Sequence, residues 1–194
     1  LPDDHLYCDW LLGRDALLRI LQADYAELSA WRAALLAALE GNPSVHLATP
    51  AGTDLALEVG PWQALDGEVC APLVPGSARG TLVLDGALYD AALPRPIVLQ
   101  VRSGAIFDLD GLLRGGPREC MLHDDLSRDA GARLLAELGL GVNPCADRLG
   151  QIMEAEMARG TAHMGLGDNR FLGGSISSAI HVDAGLLRPT VHVG

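Results

Sequence analysis

The sequence predicts an α+β fold built on a mixed, largely antiparallel sheet with flanking helices. Three observations carry that expectation. Apolar residues recur at helical spacing early in the chain and again past its middle. Short alternating runs broken by Gly and Pro lie between them, and the last third crowds glycine around its polar residues. A length of 194 residues suits one domain over 1–194, since domains run to roughly 100–200 residues.

Over 15–39, Leu28, Trp31, Leu35 and Leu39 keep helical spacing until Gly41, Asn42 and Pro43 end the pattern. One or two amphipathic helices are expected there. Over 44–57 the period changes to two, with Val45 and Leu47 before a Pro50-Ala51-Gly52 turn and Leu55 and Leu57 after it. That is the pattern of a hairpin. Further strands are expected over 81–84 and 97–102, with the sheet continuing through 105–109. A second helix is expected over 126–138, ended by Gly139. The run His123-Asp124-Asp125-Leu126-Ser127 reads as a helix N-terminus, where acidic residues complement the dipole. Neither a repeat nor a low-complexity segment interrupts the chain.

Fourteen basic residues stand against 25 acidic ones, a net charge of −11. A field of that sign repels phosphate backbones and anionic lipid, so no nucleic acid and no membrane partner is expected. Cys8, Cys70, Cys120 and Cys145 form no CxxC pair, which excludes a zinc knuckle and a dense disulfide framework. No apolar run is long enough to span a bilayer, and Asp3 and Asp4 make the start acidic where a signal peptide is basic. A cytoplasmic protein with reduced thiols is the expectation.

His181-Val182-Asp183 is the first candidate site. On a strand, residues i and i+2 share a face, so an imidazole stands beside a carboxylate in a two-ligand grip for a divalent ion. Alone, such a pair is equally a buried histidine oriented by its neighbour. Eighteen residues earlier, His163 lies in the glycine-flanked run Gly160-Thr161-Ala162-His163-Met164-Gly165. Glu137 and Glu68 are lone carboxylates beside glycine at apolar strand edges. Two histidines and three carboxylates match the nitrogen and oxygen donors that first-row metals accept. His5, His46, His123 and His192 match no ligand position, and Cys70 reads as a small buried hydrophobe. Gly139-Leu140-Gly141 completes no dinucleotide fingerprint, and there is no P-loop.

Five segments, in order, resemble the aminopeptidase T family of metallopeptidases. They are Thr49-Pro50-Ala51-Gly52-Thr53-Asp54-Leu55, Gly67-Glu68-Val69-Cys70-Ala71-Pro72, the run from Glu137 to Pro144, the run from Gly160 to Asn169, and His181-Val182-Asp183. The short spacing from His163 to His181 and the ending Arg188-Pro189-Thr190-Val191 are most similar to the branch shared with dihydroxypyridine ring-cleaving dioxygenases. The resemblance implies the fold of the family's C-terminal catalytic domain. It also implies metal ligation by Glu68, Glu137, His163, His181 and Asp183, with zinc, manganese or iron as the ion.

Two departures qualify what is implied. The peptidase branch has a tyrosine seven residues after the first histidine, and Arg170 stands there in this chain. The family's N-terminal domain, which covers the metal cleft, is absent from 1–194. Stand-alone relatives of this kind resemble peptide-binding proteins of ribosomal peptide biosynthesis, the crocagin pathway being the example. The expectation is therefore a peptide ligand, a homodimer, and Asp168, Asn169 and Arg170 touching that ligand at the cleft rim. Metal-dependent aminopeptidase activity and iron-dependent opening of an aromatic ring are the alternatives.

Overall fold

The computed structural model describes residues 12–65 and 67–194. His5, Cys8 and the acidic start lie outside the described residues. Helices α1 (Arg14–Ile20) and α2 (Tyr25–Leu39) come first. Asp24 caps α2, its Oδ1 accepting from the main-chain N–H of Ala26 at 2.9 Å and of Glu27 at 3.3 Å. These are donors that a first helical turn leaves without a main-chain partner. Leu28 and Leu39 are buried as their spacing suggests, but Trp31 is exposed, with the Arg159 guanidinium over its ring.

Nine strands follow: β1 (Ser44–Ala48), β2 (Asp54–Glu58), β3 (Gln63–Ala64), β4 (Glu68–Pro72), β5 (Arg79–Leu84), β6 (Ala87–Leu88), β7 (Ala91–Ala92), β8 (Ile97–Arg102) and β9 (Ala105–Ile106). Then come α3 (Pro117–Leu126), β10 (Leu135–Gly141), α4 (Ile152–Ala155), β11 (Thr161–Gly167), β12 (His181–Leu187) and β13 (Thr190–Val193). They form the expected α+β fold, with the strands divided between two antiparallel sheets. The six-stranded sheet has the order β13-β1-β2-β5-β8-β9, and the seven-stranded sheet the order β3-β4-β10-β11-β12-β6-β7. Parallel pairing among the described residues is confined to an isolated bridge between Asn143 and Ala158. The hairpin is β1–β2, in register from Ser44 opposite Glu58 to Ala48 opposite Asp54.

Strand periodicity gives the seven-stranded sheet two different faces. Val69 and Ala71 of β4, Leu138 and Leu140 of β10, Ala162, Met164 and Leu166 of β11, and Ala184 and Leu186 of β12 turn one way. They join Val45, Leu47, Leu55, Leu57, Leu82, Leu84, Leu99 and Val101 of the other sheet in one apolar core. The intervening residues, among them Glu68, Cys70, Glu137, His163, His181 and Asp183, face away from that core.

Three expectations about the middle of the chain are corrected. Residues 126–138 do not form a helix: α3 ends at Leu126, a short 3-10 turn covers Gly131–Arg133, and Leu135–Gly141 is a strand. Leu, Ala and Glu favour helices intrinsically, but all seven residues of β10 are buried. Such a strand reads as a continuous run with no alternation to distinguish it. His123, Asp124 and Asp125 accordingly sit in the last turn of α3, not its first, and Pro117 marks the start. Asp125 is held there by the Tyr89 hydroxyl at 2.7 Å and Arg128 at 3.1 Å. The strand expected over 105–109 stops at Ile106.

Candidate metal centre

Four adjacent strands bring the five candidate residues together. Across β4, β10, β11 and β12 the register sets Pro72, Glu137, Gly165 and Asp183 in one row and Cys70, Gly139, His163 and Gly185 in the next. Glycines alternate with functional residues, and the glycines make the room. A Cβ at Gly139 would collide with the His163 ring, and one at Gly165 would stand 2.8 Å from both Glu137 Cβ and His181 Cε1. The glycines that punctuate the motifs are thus the floor on which the imidazoles lie.

The polar atoms converge closely. His163 Nε2 lies 3.5 Å from Glu137 Oε1 and 3.9 Å from Asp183 Oδ1, and its Nδ1 lies 3.4 Å from Glu68 Oε2. His181 Nε2 lies 3.3 Å from Glu137 Oε2 and 3.1 Å from Asp183 Oδ1. The other ring nitrogen of His181 is 2.6 Å from the main-chain carbonyl oxygen of Asp168. Since a carbonyl only accepts, Nδ1 carries the proton there, which leaves Nε2 to serve as a ligand. Side-chain exposure rises from 2% at His163 to 22% at His181 and 18% at Asp183, so the cluster opens on its β12 side.

Burial opposes ionisation throughout the cluster, and the neighbours decide each outcome. Burial raises the Glu68 carboxyl to about 7, with Glu137 and Asp183 adding to the rise and the imidazoles opposing it. For Glu137, burial is outweighed by hydrogen bonds from His163 and His181, which hold it at about 2. His181 also loses solvation, yet Asp183 and Glu137 raise it to about 10. His163 lies well above its ordinary value for the same reasons, with Glu68 its largest attraction.

Sequence reasoning missed one carboxylate. Glu156, at the end of α4, is buried and its carboxyl is pushed well above the usual range by burial and then by Asp183, with Glu68 and Glu137 contributing. The main chain of 156–158 crosses directly over Gly141, where a Cβ would strike the Glu156 and Ala158 carbonyls. In the sequence Glu156 sits in an acidic helical stretch that reads as a solvated face. Only its distance in space from the other acids, not its spacing along the chain, marks it.

These residues fit a divalent cation. Four buried or half-buried carboxyls surround two imidazoles, so without a cation the charge balance depends on bound protons. Glu68 Oε2 and His163 Nδ1 are buried without a hydrogen-bond partner, which is costly unless a ligand satisfies them. One oxygen or nitrogen each from Glu137, His163 and Asp183 lie within 4.8 Å of one another, as do donor atoms of Glu68, Cys70 and Glu137. Nitrogen and carboxylate donors of this kind suit zinc, iron or manganese.

The residues expected at the rim divide. Arg170 is exposed, its Nε donating to Asp168 Oδ2 at 2.6 Å. Beside it, the exposed ring of Phe171 meets His181 edge-on, with centroids 4.8 Å apart. Asn169, by contrast, is fully enclosed and cannot touch a ligand. Its Nδ2 donates to the Ala136 carbonyl at 2.9 Å, and its Oδ1 accepts from the Ile176 N–H at 2.8 Å. Ala136 is the extra residue of a bulge between Leu135 and Glu137 in β10. The bulge lets Leu135 face the core while Glu137, two residues on, faces the site. Asn169 therefore braces Glu137 from behind.

The remaining histidines among the described residues lie away from the cluster. His46 is 2.7 Å from Asp54 and stacks on His192, while His123 contacts Asp124. Cys70, Cys120 and Cys145 are free thiols. Among the described residues, no helix is long and apolar enough to cross a membrane.

No known family profile and no curated protein matches the chain. Solved structures do. A 2,5-dihydroxypyridine dioxygenase from Pseudomonas putida KT2440 superposes with a TM-score of 0.76 at 21% identity, covering 93% of this chain and 59% of its own. Wild-type AmpT from Thermus thermophilus superposes with a TM-score of 0.61 at 20% identity, covering 92% of this chain and 53% of its own. The chain thus spans between half and three-fifths of each of those proteins, and it shares their fold.

Proposed function

We propose that the chain binds a divalent metal ion in the cluster of Glu68, Glu137, His163, His181 and Asp183 and uses that site to hold a peptide, as an accessory protein of peptide natural product biosynthesis. The observation that carries this reading is the rim. Arg170 occupies the position of the assisting tyrosine in the peptidases that the sequence resembles, and Asp168 holds its guanidinium at 2.6 Å. A permanently charged guanidinium cannot give and take a proton as a phenol does. Recognition is retained while turnover loses its helper. The exposed Phe171 beside His181 offers an apolar contact to a ligand side chain. An extended peptide would gain main-chain hydrogen bonds from a sheet edge.

Metal-dependent aminopeptidase activity is the second reading, favoured by the convergence of all five candidate donors. A bound ion supplies Lewis-acid polarisation and an activated water. Ring opening is a third reading. It is supported by the meeting of His163, His181 and Asp183 as a two-histidine, one-carboxylate face and by the extent of the likeness to the dioxygenase.

One experiment separates them: calorimetry of the metal-loaded protein against a peptide library, with mass spectrometry of the same mixtures. Binding with peptides left intact is the expected result. Stepwise loss of N-terminal residues, abolished in Glu68→Ala, would replace this reading with the aminopeptidase. Consumption of an aromatic diol and oxygen with ferrous iron, with no peptide bound, would replace both.

A further inference from the structure

Cys70 is wholly buried on β4, two residues after Glu68 and on the same face. In the sheet it stands opposite Gly139, which in turn stands opposite His163. Gly139 has no side chain to separate them, and the His163 ring lies over it. The thiol sulfur and one carboxylate oxygen each of Glu68 and Glu137 lie within 4.8 Å of one another. The thiol interacts with Glu137, and burial and the nearby carboxylates oppose its ionisation, so only a cation would favour a thiolate there. A small apolar residue needs no carboxylates around it, and the opposite face of β4 already supplies Val69 and Ala71 to the core.

A second observation points to a ligand at the same place. His163 is almost fully buried, and its Nδ1, 3.4 Å from Glu68 Oε2, has no hydrogen-bond partner; neither has that oxygen. Glu137 Oε1 and Oε2 face His163 and His181 respectively, so the carboxylate stands between the Cys70 side of the cluster and the Asp183 side. A cation on the Cys70 side would give the Glu68 carboxyl a partner and neutralise the excess acid.

We propose that Cys70 is a metal ligand, and that Glu68, Cys70 and Glu137 form a thiolate-containing position at the β4 side of the centre. The sulfur lone pair forms the bond to the ion, and the thiol proton leaves to solvent as it forms. No change of oxidation state is involved. Thiolate donors favour borderline and soft ions, so this position takes zinc, cobalt or cadmium in preference to manganese or magnesium. The proposal rests on the metal reading of the cluster, and it adds a sixth ligand to the five that the sequence resemblance implies.

The test is cobalt(II) titration of the full chain followed by absorption spectroscopy. Visible d–d bands shifted and more intense than those of aqueous cobalt(II) report cobalt bound to protein donors of any kind. A near-ultraviolet sulfur-to-cobalt charge-transfer band reports a bond to sulfur. Wild-type protein is expected to give both, and Cys70→Ser to keep the d–d bands while losing the charge-transfer band and the preference for zinc over manganese. Retained d–d bands also show that the variant is folded. A charge-transfer band that persists in Cys70→Ser assigns the sulfur to another cysteine and overturns the proposal. So does a wild-type spectrum with d–d bands alone, which leaves the metal reading of the five residues intact. A spectrum with neither band overturns both.

Discussion

His181 gives its Nδ1 proton to the main-chain carbonyl of Asp168 at 2.6 Å, and this single bond decides which nitrogen faces Glu137 and Asp183. The carbonyl belongs to the turn whose next residue, Asn169, braces the bulge behind Glu137. One turn therefore orients a donor from each of two strands.

Loss of the His181 imidazole removes a nitrogen donor and leaves Asp183 and Glu137 facing each other. Changing an outer partner of a ligand typically costs 10–100-fold in affinity. His181→Ala, which removes the ligand itself, should weaken zinc binding by about 100-fold or more. Competition with a chromophoric chelator measures it; wild-type affinity in the variant would remove His181 from the centre.

Metal binding should strengthen as pH rises. The His181 imidazolium, at about 10, and the Glu68 carboxyl, at about 7, both hold protons that an incoming cation must displace. Calorimetry at pH 8 in buffers of different ionisation enthalpy should find at least one proton released per ion. A binding reaction with no proton release would contradict this charge assignment.

The metal-free protein should show the opposite trend. His181 is raised from 6.5 to about 10 by folding, so the stability it contributes is fully present below about pH 6.5 and is lost as pH rises through 10. Denaturant unfolding in the presence of a chelator should give a falling midpoint between pH 7 and pH 10, and His181→Gln should flatten the decline.

Asn169→Ala leaves the bulge carbonyl of Ala136 and the Ile176 N–H without their buried partner. The expected cost is about 1–3 kcal/mol of stability, together with weaker metal binding, because Glu137 loses its brace. Urea titration with and without zinc reads both effects. An unchanged zinc affinity would show that Asn169 serves stability alone.

Gly139→Ala tests the floor of the site. The added methyl collides with the His163 ring, and overpacking of this kind costs about 1–3 kcal/mol. Metal stoichiometry in the variant should fall even where circular dichroism shows a folded chain.

The convergence of the candidate residues is legible in part from strand arithmetic, whereas Glu68 and Glu137 are singled out by the family resemblance. His181 and Asp183 share a face by their separation of two, and the glycines beside His163 announced a close approach that Gly165 and Gly139 realise. The helix over 126–138 was misread because β10 is buried on both sides, and Leu135 to Leu140 offers no polar alternation to set against its helix-forming composition. Glu156 escaped because nothing in the order of residues says that 156–158 folds back across Gly141. Asn169 was placed at the rim by its neighbours Asp168 and Arg170, yet the turn sends its amide inward to a carbonyl that exists only because β10 carries a bulge. Long-range hydrogen bonds of that sort leave no local period to read.

The two faces of the seven-stranded sheet are under different physical constraints. Leu138, Met164 and Ala184 answer to volume, so they can drift in compensating sets, whereas Glu137, His163 and Asp183 answer to chemistry and have no interchangeable substitutes. The apolar face therefore holds the chain together without calling on the polar cluster. Substitutions among the polar positions would then alter what the cluster binds more than whether the chain folds.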